Sequence, residues 1–436
     1  MNFKESIRKL IPEFVLSGYH FCLSFLGALI YGFSSKKMIV VGVTGTKGKT
    51  TTCNVIAQVL NSALAKTGMA TTVNFRIGDK EWINTTKQTM LGRFKLQKLL
   101  AQMLKEGCKY AVVETSSEGI IQHRHTFIDY DVVVFTNLSP EHIERHKGFE
   151  NYRAAKMKLF EKGSKKEGSI GIYNLDDENV DYFLKYPVAK KIGYTLKPSA
   201  SLNKVDEVIE IKNTKLFSNK TEFEISGTNI ETKLLGEFNV YNAASAIAVG
   251  LSQGIKIEEI KKALLNAKPA PGRMELVDAG QNFTVIVDYS YEPTSLENAL
   301  KTSRVFNPKK IIVLIGSAGG GRDTWRRPVM GEVADKYADI VIVTTDDPYD
   351  EAPSKIVEEV LAGVLKNKER TLGGNVFSIV DRKNAIEKAI DLAVEGDLIL
   401  IAGKGGEVWM NVANGKKIPW DDREVAKDVI GALRKH

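Results

Sequence analysis

Gly45-Thr46-Lys47-Gly48-Lys49-Thr50 joins a β-branched run, Ile39 to Val43, to a segment with an apolar helical face through Val55, Ile56, Val59 and Leu60. A strand, a glycine turn and a helix start in that order make a phosphate cradle. Glycines let backbone N–H groups close on the oxygens, and the helix N-terminus adds partial positive charge. Lys49 then has the reach for β- and γ-phosphates, and Thr50 has the hydroxyl for Mg²⁺. The strict phosphate-loop pattern wants a glycine where Val43 stands, and the glycines here fall at 42 and 45. The spacing therefore marks a variant loop, the alternative being a plain tight turn.

Glu114 closes the apolar run YAVVE, and His142 follows the run DVVVF by a few residues. Both belong at the carboxyl edge of a sheet, where open α/β sheets take their ligands. A carboxylate and an imidazole beside a phosphate loop suit a divalent ion. Four of the six histidines (123, 125, 142 and 146) crowd this stretch, which favours a role for His142 over that of an ordinary packed histidine.

These residues need a frame of strands and helices. Tyr110–Val113, Val132–Phe135 and Ser169–Tyr173 read as strands alternating with helical stretches, the mark of a mostly parallel sheet covered on both faces. Short alternating runs between about 198 and 235 suggest hairpins at a sheet edge. Helical patterns return at Val240–Leu251 and Ile257–Leu265, and KPAPGRME (268–275) reads as a linker. A second α/β series follows with strands at Thr284–Asp288, Ile311–Gly316, Ile340–Thr344 and Leu398–Ala402. The expected fold is α/β: a phosphate-loop central domain over 39–270 and a Rossmann-like domain over 271–436, preceded by an apolar helical segment over 1–38.

The length of 436 residues allows two or three domains with their own cores. Composition, with 43% hydrophobic and 26% charged residues, excludes disorder, collagen and coiled coil. Three cysteines exclude a disulfide scaffold and suit a reducing cytoplasm. The net charge of +8 is spread along the chain instead of gathered in a block, so no nucleic-acid partner is expected. Residues 14–33 hold no Asp, Glu, Lys or Arg over a length sufficient to span a bilayer. Ser17, His20, Ser24, Gly27 and Tyr31 nevertheless form one stripe, which predicts a helix with two unlike faces. Such a helix either docks on its own domain or contacts membrane, giving a cytoplasmic protein with membrane association as the open alternative.

TGTKGKTTT, ETSSEGIIQHR, TNLSPEHIERHKGFENYRAAKMKLF, GEFNVYNAASAIA, PGRME, GRDTWRRPVMGEVA, GKGGE and DDRE occur in this order. Together they closely resemble the Mur ligase family, and within it the MurE-type UDP-N-acetylmuramoyl-tripeptide synthetases, over about residues 39–430. The resemblance implies an ATP-dependent amide ligase of peptidoglycan precursor synthesis that works through an acyl phosphate. It implies Thr50, Glu114 and His142 as Mg²⁺ ligands, with Lys49 and these as the catalytic group, and Lys156 as a carbamylated lysine that positions a second Mg²⁺. It assigns the loop from Gly45 through Thr51, with Asn242, Arg273 and Asp288, to ATP, which requires domain closure over the nucleotide. Asn84, Thr85, Thr86, Ser116, Gln122 and Arg124 match the muramoyl-dipeptide positions. Arg322, Asp346, Asp347, Gly403 and Glu407 match the pocket of the incoming amino acid.

The chain departs from the family pattern in several places. The diaminopimelate-type Asp-Asn-Pro-Arg reads Asp346-Asp347-Pro348-Tyr349, and Asp350 and Glu351 add acid nearby, which leans the choice of diamino acid toward L-lysine over meso-diaminopimelate. Asp-Tyr-Ala-His reads Asp288-Tyr289-Ser290-Tyr291, and Gly406 stands where the family has a histidine. About 38 residues precede the first strand, where family members carry a domain that grips the uridine diphosphate. The expected substrates are UDP-N-acetylmuramoyl-L-Ala-D-Glu and a free diamino acid. The alternatives are a related folylpolyglutamate-type ligase on another carboxylate acceptor, lipid-linked or not, and a non-catalytic nucleotide-binding module.

Overall fold

A computed structural model describes residues 12–63, 65–86, 88–141, 146–197, 201–321 and 324–433. The chain divides into two compact units, one of residues up to Lys268 apart from 216–221 and 234–237, and one of those two short pieces with Pro269–His436.

The first unit is built on strands β1 (Ile39–Thr44), β2 (Thr67–Ala70), β3 (Asn74–Ile77), β4 (Lys80–Ile83), β5 (Tyr110–Glu114), β6 (Val132–Phe135), β7 (Ile170–Asn174), β8 (Lys190–Thr195), β9 (Glu207–Leu216), β10 (Thr221–Ile225) and β11 (Thr228–Thr232). Their order in one sheet is β11-β10-β9-β8-β7-β6-β1-β5-β2-β3-β4. β2, β5, β1, β6, β7, β8 and β9 run parallel to one another, and β3 and β4 close one edge antiparallel. Near-continuous Val and Ile runs belong in such a sheet because both faces are covered. Val40, Val41 and Val43 of β1 are fully buried, each worth about 1.5–3 kcal/mol of apolar burial. β1 lies between β5 and β6, and the register sets Val43 against Glu114.

Residues 207–232 form β9–β11 at the sheet edge, where the alternating runs put them. The hairpin β2–β3–β4 at the other edge has no counterpart in the sequence reading. Its first strand, Thr67-Gly68-Met69-Ala70, has one β-branched residue and a glycine, so β-propensity is weak and pairing to β5 decides it.

A helix at Glu13–Ile30 precedes β1 and docks on the helix Arg93–Lys105. A Cβ on Gly27 would sit 3.4 Å from the Arg93 carbonyl oxygen, so the glycine sets the close approach. Ser17 Oγ bonds His123 Nε2 at 2.8 Å, and Arg93 bonds His20 Nδ1. The polar stripe thus faces the protein. Among the described residues no helix is long and apolar enough to cross a membrane, which corrects the spanning alternative for residues 14–33.

The second unit carries β12 (Glu275–Leu276), β13 (Thr284–Asp288), β14 (Ile311–Ile315), β15 (Ile340–Val343), β16 (Val376–Ser378) and β17 (Leu398–Ala402), ordered β12-β13-β17-β14-β15-β16, with a small ribbon of β18 (Trp409–Asn411) and β19 (Lys417–Pro419). All the larger sheet's pairings are parallel except that of β12. Ile312, Leu314, Ile342, Ile399 and Ile401 form its core with Ala385, Ile386 and Ile390 from the helix Arg382–Leu392.

Candidate active site

In the first unit the loop after β1 is held open by its own backbone. Gly45 has φ +153° and Gly48 has φ +79°. A Cβ on Gly48 would stand 2.4 Å from Asn242 Oδ1, and one on Gly45 would stand 1.9 Å from Thr136 Oγ1, so neither site accepts a side chain. Thr46 N–H donates to the Asn137 carbonyl at 2.8 Å and Lys47 N–H to Asn137 Oδ1 at 2.8 Å. The helix Lys49–Ala63 starts directly at the loop, which aims its first N–H groups there. Lys49 Nζ donates to the Thr46 carbonyl at 2.8 Å.

The β1–β5 register brings Glu114 to this loop. Thr50 Oγ1 donates to Glu114 at 3.0 and 3.1 Å, and Thr72 N–H donates to Glu114 Oε2 at 2.8 Å. Thr50 and Glu114 are both buried. A carboxylate and a hydroxyl converging on one point supply the hard oxygen donors that Mg²⁺ prefers. No group of three or more His, Cys, Asp or Glu suited to a metal occurs among the described residues, and His142 lies outside them. Lys156, on the helix Phe149–Gly163, is 1% exposed and donates to the Gly45 carbonyl at 2.5 Å. Burial, with the Lys49 ammonium adding to it, pushes the Lys156 amine well below the ordinary lysine range. Its burial against the loop backbone disfavours the charged amine, the direction that carbamylation requires, so the site fits a modified lysine. Asn242 accepts from Thr52 Oγ1 at 3.0 Å, which places it at the same loop, and Thr51 is buried in the first turn.

The residues expected on the muramoyl side fall into two groups that meet. Asn84 Oδ1 accepts from Thr86 N at 3.0 Å and Thr86 Oγ1 at 2.6 Å, and Asn84 Nδ2 donates to the Thr71 carbonyl at 2.8 Å, so Asn84, Thr85 and Thr86 form a self-held turn. Ser116 caps the short helix Ser117–Ile121 by accepting from Gly119 N at 3.1 Å. Arg124 Nη2 donates to Gln122 Oε1 at 2.8 Å, and Arg124 also bonds the Met90 carbonyl, which ties this group to the segment after Asn84. His146 is packed against Tyr152 with Nε2 on Ser117, and His125 is buried, its pKa lowered to about 3 by desolvation first and then by His123.

The second unit gathers its residues at the carboxyl ends of β13, β15 and β17. The register pairs Asp288 with Ala402, and Gly403 N–H donates to the Asp288 carbonyl at 3.1 Å. Burial pushes the Asp288 carboxyl up, and Ser290, Arg273 and Met274 N–H oppose it. Arg273 lies over the Tyr289 ring at 4.4 Å, and Tyr289 Oη donates to Glu407 at 3.4 Å. Lys404, which the sequence reading left unassigned, is fully buried and donates to Asp347 Oδ1 at 2.8 Å and Glu407 Oε2 at 3.1 Å, with Asp346 at 3.6 Å. Against its burial, the carboxylates of Asp346, Glu407 and Asp347 hold the Lys404 ammonium above the usual lysine range. Asn411 donates twice more to Asp347, at 2.9 and 2.6 Å.

These contacts engage the acids on which the lean toward L-lysine rested. Asp347 is matched by Lys404 and Asn411, Glu351 is paired with Arg327 at 2.8 Å, and Asp350 accepts from Asn414 N at 2.7 Å. Each of these acids is engaged by the protein, Asp347 and Glu351 by a cation and Asp350 by a backbone N–H. Lys404 and its near partner Glu407 both stand in the quoted GKGGE, but its other two partners, Asp347 and Asp346, are 57 and 58 residues away, beyond any local pattern. Arg322 lies outside the described residues.

The parallel sheet, loop and helix of the first unit define a phosphate-loop α/β protein. The Mur ligase middle domain matches residues 43–250 and the Mur ligase glutamate ligase domain residues 272–405. The chain is 38% identical over 430 residues to the UDP-N-acetylmuramoyl-L-alanyl-D-glutamate–2,6-diaminopimelate ligase of Geobacillus kaustophilus, covering 96% of this chain and 84% of that one. It is 37% identical over 401 residues to the enzyme of that name from Aquifex aeolicus, covering 92% and 79%. A solved structure of a ligase of the same name superposes with a TM-score of 0.62 at 29% identity, covering 91% of this chain and 79% of that one. The chain belongs to the Mur ligase family.

Proposed function

We propose that the protein is a MurE-type ligase that uses ATP to join meso-diaminopimelate to the D-Glu of UDP-N-acetylmuramoyl-L-Ala-D-Glu in peptidoglycan precursor synthesis. The observation that carries the chemistry is the convergence of Lys49, Thr50, Glu114 and Lys156 on the loop after β1. The choice of amino acid is supported by relatives, matched over more than nine tenths of this chain, that are named as 2,6-diaminopimelate ligases. The division at about 270 into an ATP-binding central domain and a C-terminal domain is part of the same reading, as is a cytoplasmic location.

A carboxylate is a poor electrophile until it gains a leaving group. Its oxygen attacks the γ-phosphorus of ATP, the bond to ADP breaks, and an acyl phosphate results. The amine then attacks the acyl carbon, loses a proton, and phosphate departs. Lys49 and the loop N–H groups hold the phosphates and offset the charge that gathers when two anions meet. Thr50, Glu114 and His142 would hold Mg²⁺, which supplies further neutralisation of phosphate charge, and carbamylated Lys156 would hold a second ion. Thr51, Asn242, Arg273 and Asp288 serve the nucleotide. Asn84, Thr85, Thr86, Ser116, Gln122 and Arg124 orient the muramoyl dipeptide, and Arg322, Asp346, Gly403 and Glu407 receive the amino acid. In this reading Asp347 shapes that pocket through Lys404 instead of meeting the ligand itself.

Phosphate release with ATP and UDP-N-acetylmuramoyl-L-Ala-D-Glu, with meso-diaminopimelate, L-lysine or no amino acid, tests the reading. Turnover that depends on meso-diaminopimelate is expected. Turnover with L-lysine alone would reverse the amino-acid assignment, and silence with both would point to another acceptor.

A further inference from the structure

The helix Glu13–Ile30 is inside out. An ordinary surface helix turns its apolar stripe inward and its polar face to water. Here Ser17, His20 and Ser24 point toward the first unit, and the exposed residues from Phe14 to Ile30 include no charged or amide side chain. Phe14 is 77% exposed and Ile30 65%, with Tyr19, Phe25, Leu26 and Leu29 between them. An unbroken apolar ridge of this kind on a folded surface marks a contact with something apolar.

The surroundings say what that something is. Phe25 packs on Phe33, and Lys36 Nζ lies 5.3 Å over the Phe33 ring. On the helix Phe149–Gly163, Lys158 and Lys162 stand one turn apart. Lys158 lies within electrostatic reach of His123, whose ring meets Phe21 edge-on, and Lys162 within reach of Lys36. Lys36, Lys158 and Lys162 make no ion pair among the described residues. The nearby acids Asp129 and Asp131 are held by Lys166, and Glu161 by Lys165. An apolar ridge with lysines along its base matches an anionic bilayer, whose headgroups meet the ammonium groups while the side chains enter the acyl boundary.

We infer that the outward face of this helix lies in the surface of an anionic phospholipid bilayer, holding the protein against the membrane without crossing it. The inference does not depend on the ligase reading.

The test is flotation of the full chain with phosphatidylcholine vesicles, with and without about one third phosphatidylglycerol. The expected result is flotation with the anionic vesicles only, weakened on going from about 0.05 to about 0.5 M salt. Leu29→Glu with Ile30→Glu should cut partition by about tenfold or more. Lys36→Glu with Lys158→Glu should cut it by a similar factor and flatten the salt response. All four positions are exposed and none is a residue assigned to the site, so ATP turnover should match the unaltered chain and serve as the check of folding. No flotation with anionic vesicles, or equal flotation of the Leu29→Glu/Ile30→Glu chain, would overturn the inference. So would salt-insensitive self-association in light scattering, abolished by the same pair of changes and without flotation, because the face would then belong to a second copy.

Discussion

Lysines mark the candidate site residues of both units, and they are held in opposite ways. Lys49 and Lys156 in the first unit donate to backbone carbonyls of the glycine loop itself. Lys404 in the second donates to Asp347 and Glu407 with Asp346 close by. A lysine on a neutral carbonyl gives up little when an anion arrives, because the carbonyl hydrogen bond is worth only about 1 kcal/mol net. A lysine matched by carboxylates is committed, since turning it outward would strand buried negative charge. The arrangement of Lys49 is suited to receiving phosphate and that of Lys404 to giving a pocket its shape.

The largest effect that sharpens this contrast is expected from Lys49→Ala. Removing the loop ammonium should lower phosphate release by about a thousandfold or more while leaving the urea midpoint nearly in place. Retained activity would remove the loop from the chemistry. Lys404→Met tests the other side of the contrast. Breaking a buried charge group by deleting one partner should destabilise the fold by about 3–5 kcal/mol in urea titrations, and a neutral outcome would show that the closed network is not structural.

Lys156→Ala is expected to lose about a hundredfold in turnover, partly restored by added short-chain carboxylates that occupy the emptied space. Wild-type rates without rescue would deny the lysine any part in the reaction. The smallest effect belongs to His125, a buried group of the first unit outside its phosphate loop. Its folded pKa of about 3 lies below the ordinary 6.5, so the unfolded chain binds a proton that the folded one refuses. Its contribution to stability is therefore complete above about pH 6.5 and falls by about 1.4 kcal/mol per pH unit as pH drops toward 3. His125→Asn should remove that slope in urea titrations at pH 7, 6 and 5.

The first unit was the more legible of the two in sequence. The phosphate loop is local: six consecutive residues, a strand before and a helix after, each with its own pattern. Glu114 was also within reach, because a carboxylate closing an apolar run must emerge at the sheet's edge. The charge state of the second unit was not readable this way. Asp347, Asp350 and Glu351 look like an acidic pocket until Lys404, Asn414 and Arg327 arrive from distant positions to answer them. The N-terminal helix divides the same way. Its polar stripe is visible in the spacing of Ser17, His20 and Ser24. Which side faces the protein depends on Arg93 and His123, and no helical periodicity contains those.

The pairing of Val43 with Glu114 has an arithmetical consequence. Side chains on a strand alternate faces with a period of two, so the carboxylate reaches Thr50 only while β5 keeps its count. One residue deleted within Ala111–Val113 would send Glu114 to the opposite face with its composition untouched, whereas a single substitution in the same stretch would leave it aimed at Thr50. This strand should therefore vary in letters only among apolar residues of similar size, and hardly at all in length.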